Sequence, residues 1–273
     1  MKKISTEEAA SLNRRSFLTR ATLAGGAALL PLTGLAQAGR NWGTDNDGKD
    51  CDHNKSGLAK GDYNIIIAAE IAEALAVTTY TNIINTSPFF SGLPEDDQGY
   101  LAAALQEEMS HYLVEESVTG QPSPYTKFYY PAGMFTDPQT TLNILVTLED
   151  AFIAAYLIGV RNFSTSDLRV TAARIMGIES DHRSLARVIA SDLSLTTVTG
   201  VQGVAENVAP PNNNGYERTL EWTSISQAVA ALTPFVDVKA AGSAGFDTSV
   251  SFDFAPFTPT LPSPLGDFIS FGG

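Results

Sequence analysis

Glu108-Met109-Ser110-His111 and Glu179-Ser180-Asp181-His182 are the two stretches on which the reading of this chain turns. Each sets a carboxylate three residues ahead of an imidazole, and at that spacing both side chains project from one face of an α-helix. Two of the three histidines in the chain stand in such pairs. Around the first pair, Leu101, Leu105, Met109, Tyr112 and Leu113 recur at helical spacing, so the pair sits within an amphipathic helix.

Working outward, four segments have helical length and period. The first runs from about Asp62 to Asn85, ahead of the turn-rich Thr86-Ser87-Pro88. The second runs from about Glu95 to Thr119, with Gly120 placed to stop it. The third opens with Asp137-Pro138, a cap followed by proline at the first turn, and continues to about Phe163. The fourth follows the caps Ser164-Thr165-Ser166 and reaches about Leu193. So few residues join the third and fourth that the two must pack antiparallel. Gln121 to Thr136, between the second and third, is long enough to cross the end of a bundle. The expectation is an all-α four-helix bundle with one long crossover.

The first and third helices supply what the two pairs lack. Glu70 interrupts an apolar run after Ile65-Ile66-Ile67-Ala68-Ala69, and Glu149 interrupts another from Leu142 to Val160. A lone carboxylate buried in such a face is costly unless protonated or neutralised, and a divalent cation removes the penalty. The expected ligand set is therefore Glu70, Glu108, His111, Glu149, Glu179 and His182, enclosing two ions. Oxygen-rich ligation with one nitrogen per ion favours iron or manganese over structural zinc. Glu73 shares the face of Glu70 one turn on, while Glu107 points about 100° away from Glu108 and reads as solvated. Asp150 and Asp181 adjoin ligands and are candidate partners for them; Tyr156, two turns from Glu149, reads as core or as a hydrogen-bond donor to the site.

At these residues the chain resembles the ferritin-like family that includes the desiccation-related proteins. The matching stretches are Ala69-Glu70-Ile71-Ala72-Glu73-Ala74, Glu108 to His111, Leu148-Glu149-Asp150 with Tyr156, and Gly177 to His182. The resemblance covers about Asp62 to Leu193, with weaker similarity to near Phe235. It implies a ferritin-like four-helix bundle and the ligand positions above. It implies little about the reaction, since the wider superfamily holds ferroxidases, manganese catalases and oxygen-activating oxidases.

The remainder bounds the setting. The chain has 273 residues, 44% of them apolar, with a net charge of −13 and one cysteine. Clustered Lys and Arg are absent after the first twenty residues, which excludes nucleic-acid binding, and lone Cys51 excludes an internal disulfide framework. Asn13-Arg14-Arg15-Ser16-Phe17-Leu18-Thr19, the apolar stretch Ala21 to Leu35 and the small-residue site Ala36-Gln37-Ala38 read as a twin-arginine export signal over 1–38. The mature chain is then periplasmic or secreted and begins near Gly39. Loss of five basic and two acidic residues takes the charge from −13 to −16. Residues 39–61 form a polar leader. Its Asp45, Asp47, Asp50 and Asp52, beside Cys51 and His53, lack the closing Glu of a calcium loop and read as a solvated acidic arm. After the bundle (62–194) comes an extension, 195–273, with a loop holding Pro210-Pro211, one short helix from Ile225 to Phe235 and an irregular or short extended Phe- and Pro-rich tail lying over the bundle.

Two expectations of function follow. One is an extracytoplasmic protein whose two Fe or Mn ions react with O2 or H2O2, as a possible homo-oligomer with no stable membrane span once the signal is removed. The other is a stress-protective or structural surface protein in which the metal site only stabilises the bundle. Storage of iron in a hollow shell fits less well with an appended tail.

Overall fold

The computed structural model describes residues 58–199, 205–208 and 220–260. The expected export signal, the leader as far as residue 57 with its acidic arm and the Pro210-Pro211 loop lie outside them, as does the end of the tail from residue 261, while the last two residues of the expected leader, Lys60 and Gly61, already belong to the first helix.

Four long helices form the body: α1 (Lys60–Thr86), α2 (Glu95–Thr119), α3 (Pro138–Asn162) and α4 (Ser166–Asp192). Local chemistry sets their ends. α1 stops at Ser87, which is extended (φ −75°, ψ 123°) because the residue before a proline is disfavoured in helical geometry. Glu95, Asp96 and Asp97 occupy the first turn of α2, where the helix dipole favours negative charge, and Gly120 ends it in the left-handed region at φ 72°. Asp137 caps α3, accepting from the Thr140 N–H at 2.9 Å, with Pro138 at the first helical position. Thr165 caps α4 through the Leu168 N–H at 3.3 Å. Asp62, buried near the start of α1, accepts from the backbone N–H of Ser164 at 2.9 Å and from its hydroxyl, pinning α1 to the α3–α4 turn.

α1 packs on α2 and α3 on α4, and the two hairpins meet through α1 with α3 and α2 with α4. The result is the expected four-helix bundle with the long crossover between α2 and α3. Among the described residues α3 alone is long and apolar enough to cross a membrane, but 67% of that stretch is buried, as befits the central helix of a core.

The crossover and the extension hold each other. The crossover carries β1 (Lys127–Pro131), and the tail carries β4 (Phe246–Asp253), which pairs with it antiparallel from Lys127↔Asp253 to Pro131↔Phe246, with an irregularity between Phe128 and Tyr130. A small hairpin, β2 (Thr197–Thr199) with β3 (Ala205–Asn207), follows α4. Two further helices, α5 (Ile225–Val236) and α6 (Val238–Ser243), precede β4. The extension is thus more regular than its composition suggests, because β4 finds its ladder partner on a segment more than a hundred residues away. The tail phenylalanines are packing groups: Phe252 meets Tyr130 and Phe135 with ring centroids 5.3 and 4.9 Å apart, Phe246 meets Phe235 at 5.1 Å, and Phe254 meets Tyr112 at 4.7 Å.

Candidate metal centre

Each long helix aims at least one carboxylate into the middle of the bundle. α2 brings Glu108 and His111, α4 brings Glu179 and His182, α3 brings Glu149 and α1 brings Glu73. Glu108, Glu149 and Glu179 are wholly buried and Glu73 is 1% exposed. Their donor atoms gather in two overlapping groups, Glu73–Glu108–His111–Glu179 and Glu108–Glu149–Glu179–His182, in each of which the atoms lie within 4.8 Å of one another. Glu108 and Glu179 belong to both groups, so the set has two lobes joined by two shared carboxylates.

The imidazoles approach these oxygens closely. His111 Nδ1 lies 3.1 Å from Glu179 Oε1 and 3.6 Å from both Glu73 Oε2 and Glu108 Oε2. His182 Nδ1 lies 2.8 Å from Glu108 Oε1 and 3.5 Å from Glu179 Oε2. These are approaches without hydrogen-bond alignment. Both oxygens of Glu108 and of Glu179, Glu73 Oε2, Glu149 Oε2 and both Nδ1 atoms are buried with no hydrogen-bond partner. Buried polar atoms are normally paired, and a group of unpaired carboxylates in a dry interior is strongly unfavourable. Lone pairs that converge without bonding one another suit a cation between them, and two divalent ions carry the charge of four carboxylates. The donor set therefore fits two metal ions.

The groups behind the ligands are equally specific. Tyr80 donates to Glu149 Oε1 at 2.7 Å, and the Tyr156 hydroxyl sits between Glu73 and Glu115 Oε1, 2.7 Å from the latter, its one proton shared between the two carboxyls. His182 Nε2 is 2.9 Å from Glu107 Oε2. With that N–H given to Glu107, the Nδ1 lone pair is left facing the cluster, the tautomer a ligand needs. Arg183, next along α4, pairs with Asp150 at 3.1 Å and ties α4 to α3.

Titration behaviour reflects crowded negative charge. Burial, reinforced by neighbouring carboxylates, holds Glu73 and Glu149 well above the usual range. Burial pulls His111 and His182 down, but the surrounding carboxylates, led by Glu73 for the first and Glu108 for the second, outweigh it and leave both raised. For Glu108 burial pushes up, yet the charge of His182 and the close approach of both imidazoles bring it below the ordinary value.

Residues 61–192 match the family model of a ferritin-like domain. Comparison with curated proteins and with solved structures gave no match. The matched span takes in almost all of the four long helices and every residue of both donor groups, while the extension carrying α5, α6 and β4 falls outside it.

Of the six ligands expected from sequence, the bundle brings together Glu108, His111, Glu149, Glu179 and His182. Glu70 is in neither group; the α1 carboxylate there is Glu73. The two share a face, but one helical turn displaces Glu70 from Glu73 by about 5 Å along the axis. It is wholly buried and accepts from the Thr119 hydroxyl at 2.9 Å. Glu107, expected to be solvated, is 36% exposed and holds His182. Asp181 is exposed.

Tyr80 and Glu115 were not visible as site residues in the sequence, although a signal for the first was present. Tyr80 stands seven residues after Glu73, and Tyr156 seven after Glu149; the residue seven after Glu70 is Val77. The two tyrosines are exchanged, each donating to the carboxylate of the other's helix. That shared spacing selects Glu73 over Glu70.

Proposed function

We propose that this is an exported ferritin-like protein that holds two iron or manganese ions in the buried cluster and reacts there with O2 or H2O2. One observation carries the reading: six donor side chains from four helices, buried and with most of their facing atoms unbonded, fall into two sets that share two carboxylates. Carboxylate-rich sets with a single imidazole each suit Fe or Mn, whose neighbouring ions supply one electron apiece and so a two-electron exchange with oxygen species. Glu73 and His111 would hold one ion, Glu149 and His182 the other, and Glu108 and Glu179 both. Tyr80 and Tyr156 fix the terminal carboxylates, and Glu107 fixes the His182 ring. The aliphatic and aromatic packing around the cluster keeps bulk water from it.

The export signal over 1–38 supports a periplasmic or secreted location, and a twin-arginine route, which carries folded cargo, would allow loading before export. The resemblance of these stretches to the desiccation-related proteins supports a second reading, a stress-protective or structural protein whose metal site only stabilises the bundle.

Elemental analysis of protein exported by its own host tests the reading. About two Fe or Mn per chain is the expected result; metal-free protein from metal-replete cells refutes it. Peroxide disproportionation without added reductant identifies a manganese catalase, and O2-dependent oxidation of Fe2+ identifies a ferroxidase.

A further inference from the structure

A cavity of about 40 Å3 lies within the bundle beside the cluster. Its wall is drawn from all four long helices, and the positions fix its depth. Ala69 precedes Glu73 by four residues, Val114 follows His111 by three, and Ile175 precedes Glu179 by four. At about 1.5 Å of rise per residue these wall positions lie about 5 to 6 Å along the axis from the ligands. Ile225, at the start of α5, joins the wall from outside the matched domain.

Apart from Glu115, Tyr156 and Thr171, every lining side chain is hydrocarbon. The Tyr156 hydroxyl is engaged by Glu73 and Glu115, so the tyrosine stands between the cavity and the first lobe of the cluster. The opposite tyrosine, Tyr80, is fully buried within the main hydrophobic core. The two halves of the site are alike in their ligands and differ in what lies behind them.

We propose that this cavity is a binding site for dioxygen, and that it favours O2 over hydrogen peroxide as the oxidant reaching the cluster. The space is too small for a chain or ring. Of its three polar side chains the Tyr156 hydroxyl and Glu115 Oε1 are bonded to each other, the rest of the wall is hydrocarbon, and apolar cavities take up apolar guests rather than water. Dioxygen enters such a space without losing hydrogen bonds. Hydrogen peroxide would forfeit most of its bonds to water on entry. The choice of oxidant rests on the redox reading above; occupancy of the cavity by a gas does not.

Two measurements on the protein as purified test this. Crystals pressurised with xenon should show an atom bounded by Ala69, Val114, Ala155 and Ala172, absent in Ala172→Leu, which fills the space with an isopropyl group. Protein loaded with Fe2+ is then mixed with either oxidant. With O2, two Fe2+ ions each lose one electron, and dioxygen gains both with two protons to leave as hydrogen peroxide. With H2O2 the same electrons and protons cleave the O–O bond to give two waters. Ala172→Leu should slow the O2 reaction about tenfold or more and leave the peroxide reaction within about twofold. Should that variant fold poorly, Val114→Ala enlarges the cavity and should raise xenon occupancy. An empty cavity in the wild-type protein, or equal slowing of both oxidants, overturns the proposal. Xenon bound in a protein whose Fe2+ neither reagent oxidises upholds the gas site and refutes the redox reading.

Discussion

Glu70 and Glu73 share a face of α1 and are both buried, yet only Glu73 joins the cluster, so replacing Glu70 with glutamine separates the two. Burial lifts the Glu70 carboxyl from an ordinary 4.5 to about 8, against the opposing bond from Thr119 and with a further push from the charge of Glu116. A carboxyl raised in the folded state contributes its full stability below the unfolded value. As pH climbs above 4.5 the unfolded chain ionises first, and stability drains away until the folded group ionises near 8. Over that interval the loss is about 5 kcal/mol, of which about 3 kcal/mol has accrued by pH 7. Glu70→Gln keeps the shape and an oxygen for Thr119 but cannot ionise. The variant should match the wild type near pH 4 and exceed it by about 3 kcal/mol at pH 7, with the same metal content. Urea unfolding of both proteins across this range, with metal analysis of each sample, makes the measurement. A stability difference that does not change with pH, or loss of metal from Glu70→Gln, would refute the reasoning.

Glu73→Gln removes a donor from one group only, and metal content should fall toward one ion per chain, read by elemental analysis after dialysis. Tyr80→Phe deletes the 2.7 Å bond to Glu149 while keeping the ring, and metal affinity should drop about 10- to 100-fold in competition with a chelator. Phe128→Ala, at a wholly buried position of β1, should cost about 3 to 5 kcal/mol in chemical denaturation with metal content unchanged, since it empties core space away from the ligands.

The helices were legible because their signals are local. Asp137-Pro138, Thr165 and Gly120 each act within a few residues of themselves, and their effect does not depend on the rest of the chain. The same holds for the two Glu-x-x-His pairs, where spacing alone puts both donors on one face. Choosing between Glu70 and Glu73 is a different kind of question. Helical phase makes them equivalent, and what separates them is axial level, set by how far α1 slides against its neighbours. Glu107 is a related case: helical phase turns it away from Glu108, but phase alone does not say that His182 of α4 lies within its reach. β4 was hidden because its partner β1 is remote in sequence, and an alternation of Phe with polar residues does not name the edge it will join.

Six buried glutamates, Glu70, Glu73, Glu108, Glu115, Glu149 and Glu179, occupy the interior of one bundle, and the fold treats them in two ways. Glu73, Glu108, Glu149 and Glu179 face one another with open oxygens, an arrangement that protons alone leave with unbonded atoms and that two divalent ions complete. Glu70 and Glu115 sit one turn outside the cluster, each with a hydroxyl donor, Thr119 for the first and Tyr156 for the second. Burial raises both of these carboxyls, and for Glu70, lifted to about 8, a proton is the neutralising cation near neutral pH. Tyr156 is where the two treatments meet, since its single hydroxyl spans Glu115 and Glu73. The position of that one side chain marks the border between carboxylates whose open oxygens suit a cation and carboxylates held by a single hydroxyl, while axial level along α1 places Glu73 on one side of it and Glu70 on the other.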